Sequence, residues 1–266
     1  MRIGVKPGQW GWRWDELVAG WRAAEECGFD LVSCFDHVTA EPDGQQAWDA
    51  PSLLTAMAGV VERPRLAVDV LNTSLRHPFL LAGQIAVAQA ASSGRVEVGL
   101  GAGSAGMARF DNRALGLPFP PLADRLRRLE SLCTLLPALW RGETVDDEEL
   151  GLAGASLGPL GIDAPPVIVG GKSEAAMAVA ARAASGWNAN ETDPDAYARL
   201  ARRLDELCAE AGRSVTRTVQ FFDRALGPDV RERLARFEEA GATTVTFVLS
   251  EDTGSEPVRK LAQAVL

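Results

Sequence analysis

The sequence predicts a (β/α)8 TIM barrel, one domain over residues 1–266. Three observations predict it. Apolar, β-rich runs alternate with helical stretches eight times in order. The length is near the usual size of one such barrel and long for a single open sheet, which needs fewer units. Two of the runs also empty into glycine-rich loops, Gly99, Gly101 and Gly103 after the fourth and Gly170-Gly171 after the fifth. Glycines there let a backbone or ligand come close, and α/β proteins place ligands at such strand ends.

The elements follow in order. Arg2 to Val5 reads as the first strand. Trp14 to Cys27 is an amphipathic helix with Leu17, Val18, Trp21 and Ala24 on one face, stopped by Gly28. Leu31 to Phe35 is the second strand and Pro51 to Val61 the second helix. Leu66 to Leu71 is the third strand, followed by a helix opening at Pro78 that carries Leu81, Ile85, Ala88 and Ala91 and stops at Ser93-Gly94. Val96 to Leu100 is the fourth strand. Pro121 to Trp140 is the longest helix, with Leu122, Leu126, Leu129, Leu132, Leu136 and Leu139 at helical spacing. Glu143 to Pro166 reads as a glycine-rich excursion or short hairpin. Val167 to Val169, Gly186 to Ala189, Thr216 to Phe222 and Thr243 to Leu249 are the last four strands. The helices Ser173 to Ala184, Pro194 to Gly212, Asp229 to Ala240 and Glu256 to Leu266 follow them in turn.

Composition narrows the function classes. An apolar fraction of 47% and a charged fraction of 24% are ordinary for a globular protein. A net charge of −9 argues against nucleic acid as a partner and fits handling of a small molecule. The scattered Cys27, Cys34, Cys133 and Cys208 form no C-x-x-C pair, so neither a zinc site nor a disulfide framework is expected. The opening MRIGVKPG has no apolar signal core and no run reaches membrane-spanning length, which predicts a cytoplasmic protein with no membrane partner.

In a barrel the functional loops follow the strands, and this rule selects the candidates. His37, at the end of the second strand, is placed to bond a ligand or move a proton, and Asp36 to set its tautomer or cap the next segment. His77, before Pro78, reads as a helix-start residue. Asn72, just past the third strand, could bond a polar ring edge. Gly170, Gly171, Lys172 and Ser173 offer backbone N–H groups at a helix N-terminus plus a point charge, a phosphate-binding arrangement. Asn188, beside Trp187 on the next strand, neighbours that loop. Trp10, Trp12, Trp14 and Trp48 crowd the loops after the first two strands, and Trp10, Trp12 and Trp48 are expected to wall a substrate pocket. No P-loop, H-E-x-x-H or G-x-S-x-G pattern occurs.

Four segments together resemble the luciferase-like flavin/deazaflavin oxidoreductase family, and the resemblance runs through nearly the whole chain. They are Leu31 to His37, RHPFLLAGQIAVAQAASSGRVEVGLGAG, ALGLPFPPLADRLRRLE and PPVIVGGKSEAAMAVAARAASGWN. The resemblance implies a barrel binding coenzyme F420 or FMN, the ring at the strand ends and its phosphate at Gly170, Gly171, Lys172 and Ser173. It implies that His37 lies beside ring or substrate, and that Asn72 contacts the ring. A non-proline cis peptide near Asp69-Val70 would form a bulge behind the ring, bringing Asp69, Val70, Gly101 and Gly103 against the cofactor. Members that oxidise alcohols carry a glutamate in the loop after the fourth strand. Here Ser104 stands in that loop, in the substrate pocket, with Asp111 further along as a carboxylate that could substitute. The excursion before the fifth strand is short for the family. The expected activity is hydride transfer between F420 and a small organic substrate, with His37 moving the proton. The alternatives are an FMN-dependent monooxygenase served by a partner flavin reductase, and a non-catalytic flavin-binding barrel. A homodimer is expected.

Overall fold

The computed structural model of the chain describes residues 1–41, 44–45, 47–104, 106–222, 227–249 and 252–266. The first half runs β1 (Arg2–Lys6), α1 (Trp14–Cys27), β2 (Leu31–Cys34), α2 (Ala50–Val60), β3 (Arg65–Asn72), α3 (Pro78–Ala91) and β4 (Val96–Gly101). Two helices follow, α4 (Ala108–Ala114) and α5 (Leu122–Trp140), and then β5 (Val145–Asp147) and β6 (Leu152–Ala155). The second half is β7 (Val167–Gly170), α6 (Glu174–Ala183), β8 (Gly186–Asn190), α7 (Pro194–Glu210), β9 (Thr216–Phe222), α8 (Val230–Glu239), β10 (Thr244–Val248) and α9 (Ser255–Val265).

Among the described residues, eight parallel strands close in the order β1-β10-β9-β8-β7-β4-β3-β2. Closure is made by β1 on β10, from Arg2 opposite Thr244 to Lys6 opposite Val248. The chain is therefore a (β/α)8 barrel, and β5 pairs with β6 as an antiparallel hairpin outside it, within the predicted excursion. The strands are short apolar runs because helices cover their outer faces. The helices bury one stripe each, as α1 does with Leu17, Trp21 and Ala24.

Several strand ends differ from the sequence reading by one residue, and two of these bear on the site. The second strand stops at Cys34, and the third extends to Asn72, which carries that residue to the barrel mouth. Helix α4 has no counterpart in the sequence reading. Its buried residues are Ala108, Asp111 and Asn112, so it lacks the apolar stripe that announces a helix.

The barrel interior is polar at both ends. At the N-terminal end Glu97 accepts from Arg2 at 2.7 Å and from Arg65, an ion-pair plug across β1, β3 and β4. Towards the other end β3 bulges. Its register on β4 shifts between Val68 and Leu71, and the Asp69–Val70 peptide is cis. The bulge drives the Val70 side chain into a seat between three glycines. A β-carbon on Gly101 would lie 2.6 Å from Val70 Cγ2, one on Gly170 2.7 Å from Cγ1, and one on Gly99 2.9 Å from Cγ1. Gly101 and Gly170 therefore give room to the Val70 side chain, while the nearest neighbour of Gly99 is the Val68 backbone carbonyl, the close backbone approach that the sequence reading allowed for.

Gly170→Ala is expected to destabilise the fold by about 1–3 kcal/mol through overpacking against Val70. Adding Val70→Ala should recover part of that loss. Urea denaturation of both single variants and the double variant checks this, and strictly additive losses would mean that the two positions share no seat.

Candidate active site

The C-terminal ends of the strands surround a cavity of about 520 Å3. Thirteen of the predicted site residues line it: Asp36 and His37 after β2, Asp69, Val70 and Asn72 on β3, Gly101, Gly103 and Ser104 at and after β4, Gly170 to Ser173 after β7, and Asn188 on β8. Phe35, Gln220 and three apolar side chains from α4 and α5, Ala108, Leu122 and Leu126, complete the parts used below.

His37 is held from two sides. Its Nδ1 lies 2.7 Å from Asp111 Oδ2. A carboxylate only accepts, so Nδ1 carries the proton and Nε2 is left as the nitrogen available to a ligand. Trp10 stacks on the imidazole, with ring centroids 4.5 Å apart, and also on Phe35 at 5.2 Å. The other Asp111 oxygen accepts the backbone N–H of Val38 at 2.8 Å and of Thr39 at 3.3 Å, so one fully buried carboxylate orients the histidine and pins its loop.

The sequence reading offered Asp36 to set the tautomer or to cap the next segment. In the structure Asp111 sets the tautomer, and Asp36 has other partners. Arg76 grips both Asp36 oxygens, at 2.8 and 2.7 Å, and the Asn72 backbone N–H donates to one of them at 2.8 Å. Burial pushes the Asp36 pKa above the ordinary carboxylate value, against the pull of Arg76. Arg76 also donates to Asp49 at 2.6 Å, and Asp49 caps α2 through the Ser52 N–H.

Asn72 accepts from Ser74 N–H and Oγ through its side-chain oxygen. Its Nδ2 is buried and has no hydrogen-bond partner among the described residues. A buried donor left over at a cavity wall suits a ligand acceptor. Across the cavity, Ser173 caps α6 by accepting from Ala176 N at 3.2 Å. Lys172 pairs with Glu191 at 3.0 Å with its side chain 46% exposed. An exposed pair of this kind is weakly held, so the lysine can be drawn to an anion at the helix N-terminus.

The tryptophan wall is only partly present. Trp10 braces His37 from behind and is not among the lining residues. Trp12 and Trp48, expected in the substrate pocket, pack elsewhere. Trp12 is 3% exposed, tight against Gly8 and Gly20. Trp48 donates from Nε1 to the Trp12 carbonyl at 2.9 Å and tilts against Trp14. Proximity in sequence to a strand end does not say which way a large ring turns, and here α1 offers the larger apolar surface. His77 caps α3 without a side-chain bond.

Sequence reasoning missed Lys6. It is wholly buried, donates to the Asp69 carbonyl at 2.6 Å and to Gln220 Oε1, and lies 4.4 Å from the Phe35 ring centroid. Asp69, Gln220 and Phe35 all line the cavity, so the ammonium supports its floor from behind. Burial lowers the Lys6 pKa from 10.5 to about 8, with Asp69 opposing the shift.

A family model described as luciferase-like monooxygenase matches residues 1–239. The chain belongs to that family. It is similar to an F420-dependent glucose-6-phosphate dehydrogenase of Microbacterium testaceum, 31% identical over 222 residues that make up 80% of this chain and 64% of that protein. The chain thus spans just under two thirds of the length of that relative. Among solved structures, an F420-dependent secondary alcohol dehydrogenase in complex with an F420-acetone adduct superposes with a TM-score of 0.84 at 17% identity, over 99% of this chain and 98% of that one. A coenzyme F420-dependent tetrahydromethanopterin reductase of Methanopyrus kandleri gives 0.78 at 16% identity, with 99% and 98% covered. At such identities the likeness shows the shared barrel. No described helix is long and apolar enough to cross a membrane.

Lys6 yields a pH prediction. The unfolded chain keeps the lysine proton up to its ordinary pKa and the fold gives it up near pH 8. Lys6 therefore costs stability below about pH 8, and the cost is relieved as pH rises to about 10.5. The stability of the native protein relative to Lys6→Met is expected to rise across that window. Paired thermal melts over the range check it, and a flat difference would refute it.

Proposed function

We propose that the chain is an oxidoreductase that binds coenzyme F420 in this cavity and moves a hydride between it and a small organic substrate. The observation that carries the reading is His37, clamped by Asp111 and Trp10 at the edge of a cavity whose far side is a helix N-terminus. The similarity to an F420-dependent dehydrogenase supports it.

The residues fit the cofactor. The spare Nδ2 of Asn72 suits a carbonyl or ring nitrogen of the deazaflavin. The N–H groups at the start of α6, with Ser173 and Lys172, suit its phosphate. Val70, raised by the bulge, gives a flat ring an apolar backing, with Gly101 and Gly170 keeping the wall low around it. When bound, the deazaflavin supplies the hydride-accepting or hydride-donating carbon. The protein does the rest. His37 Nε2 takes the proton from a substrate hydroxyl during oxidation and returns it during reduction. Asp111 keeps Nδ1 protonated, so Nε2 is ready as a base, and its charge stabilises the imidazolium that forms.

Titration with F420 and FMN by tryptophan fluorescence tests the cofactor. Micromolar F420 binding with weaker FMN binding is expected, and the reverse order would move the chain to the FMN-dependent monooxygenases. His37→Ala and Asp111→Asn are expected to bind F420 as the native protein does. Each should lower turnover, by about a hundredfold or more for His37→Ala. Unchanged turnover in both would leave a flavin-binding barrel without chemistry.

The same reading includes a homodimer. Helices α2 and α3 pack side by side and carry no charged residue, and on α3 Leu80 is 66% and Val87 57% exposed. Neighbouring uncharged outer faces suit a second copy of the chain. Val87→Glu is expected to convert a dimer to a monomer in sedimentation velocity, and an already monomeric native protein would refute the assembly.

A further inference from the structure

We infer that the substrate is an uncharged, hydrophobic alcohol, or the carbonyl compound made from it, with an apolar body that reaches beyond the cavity onto a collar formed by Leu115, Leu117, Phe119 and Leu122. The inference rests on the hydride-transfer reading for its chemistry and adds the substrate class. It separates this chain from relatives named for a phosphorylated sugar.

Two independent observations carry it. The first is how the cations around the cavity are engaged. A sugar phosphate needs free guanidinium or ammonium groups or a free helix N-terminus. Arg125 donates to the carbonyls of Ala102, Gly103 and Pro120, and its guanidinium stacks 4.2 Å from the Phe119 ring centroid. Arg128 donates to the carbonyls of Thr73 at 2.7 Å and Arg76 at 3.1 Å. Arg76 is held by Asp36 and Asp49, and Lys6 is enclosed beneath the floor. Among the described lining residues the one cation is Lys172, on the loop that the cofactor phosphate would use. Arg76, Arg125 and Arg128 are structural ties for the loops.

The second is the collar itself. From Ala114 to Leu122 the chain reads ALGLPFPPL, without a charge. Leu115 is 47%, Leu117 38% and Leu122 52% exposed. The segment is not loose. The Leu117 N–H donates to the Asn112 carbonyl at 2.8 Å, and Asn112 Nδ2 donates to the Pro118 carbonyl at 2.7 Å. Leu122 belongs to both the collar and the cavity lining, Leu126 continues it inward one turn along α5, and Leu115 lies one turn beyond Asp111. An apolar strip built onto a pocket mouth marks a surface that binds apolar matter. The reacting group then meets His37. His37 Nε2 would take the hydroxyl proton, and bound oxidised deazaflavin would supply the acceptor for the carbinol hydride with its electron pair, leaving the ketone or aldehyde.

The test uses the full chain without cofactor and reads tryptophan fluorescence, with Trp10→Phe assigning the signal to the site. The probes are a series of cyclic alcohols from cyclopentanol to cyclododecanol, glucose, and glucose 6-phosphate. Affinity is expected to rise about three- to fourfold per added methylene while the ring still finds collar to cover, with no saturation by glucose 6-phosphate. Leu117→Glu is expected to lower the preference for cyclododecanol over cyclopentanol at least tenfold. Affinity independent of ring size, or glucose 6-phosphate binding more tightly than the large alcohols, overturns the inference. A parallel titration with F420 reports on the cofactor reading separately, because the alcohol series needs no cofactor to be present.

Discussion

The mouth of the barrel depends on the buried ion pair between Arg76 and Asp36. Its carboxylate side is fully enclosed, and such a pair is tolerable only when its remaining hydrogen-bonding capacity is used. Here it is. Asp36 also accepts the Asn72 N–H, Arg76 also donates to Asp49, and the Arg76 carbonyl accepts from Arg128. The end of β3, the loop after β2, the cap of α2 and the flank of α5 are thereby joined at one point. Losing one partner of a buried pair typically costs about 3–5 kcal/mol, because the other charge is left uncompensated. The pair thus contributes less as net attraction than as a demand that these four elements keep one arrangement.

That arrangement allows a division of labour between neighbouring acids. Asp36 and Asp111 both lie close to His37, one by sequence and one by fold. Asp36 is committed to architecture, which leaves the imidazole to Asp111. Helix α4 exists to bring that carboxylate in. With Ala108, Asp111 and Asn112 as its buried face, it has little apolar surface of its own, and hydrogen bonds to the loop after β2 and to the collar take the place of a hydrophobic stripe.

The same physics decides what can be read from the chain. The strand–helix alternation is legible because burial of strands on both faces and of helices on one produces distinct apolar periods. The rule that ligand groups follow strands gathers Asn72, Gly170, Ser173 and Asn188 around one cavity. Helix α4 escapes because its burial is polar, and Asp111, named from sequence as a substitute for the glutamate, instead orients His37. Lys6 escapes because the first strand is read as ending at Val5 and a lysine just past it reads as solvated, whereas here a backbone carbonyl and Gln220 give its ammonium partners in the interior. Trp12 and Trp48 are misplaced by a rule that knows position and not direction, since a ring beside a strand end can turn to the ligand or to the nearest helix.

The seat of Val70 links parts of the chain that are far apart in sequence. Its methyl groups fill the space that β-carbons at positions 101 and 170 would occupy, and they flank that of 99. A larger residue at 101 or 170 requires position 70 to give way, whereas at 99 the Val68 carbonyl stands in the way whatever occupies 70, and a smaller residue at 70 leaves a hollow in the cavity floor. Substitution at any of positions 70, 101 and 170 therefore constrains the other two, so the depth of the pocket floor is inherited as a single trait.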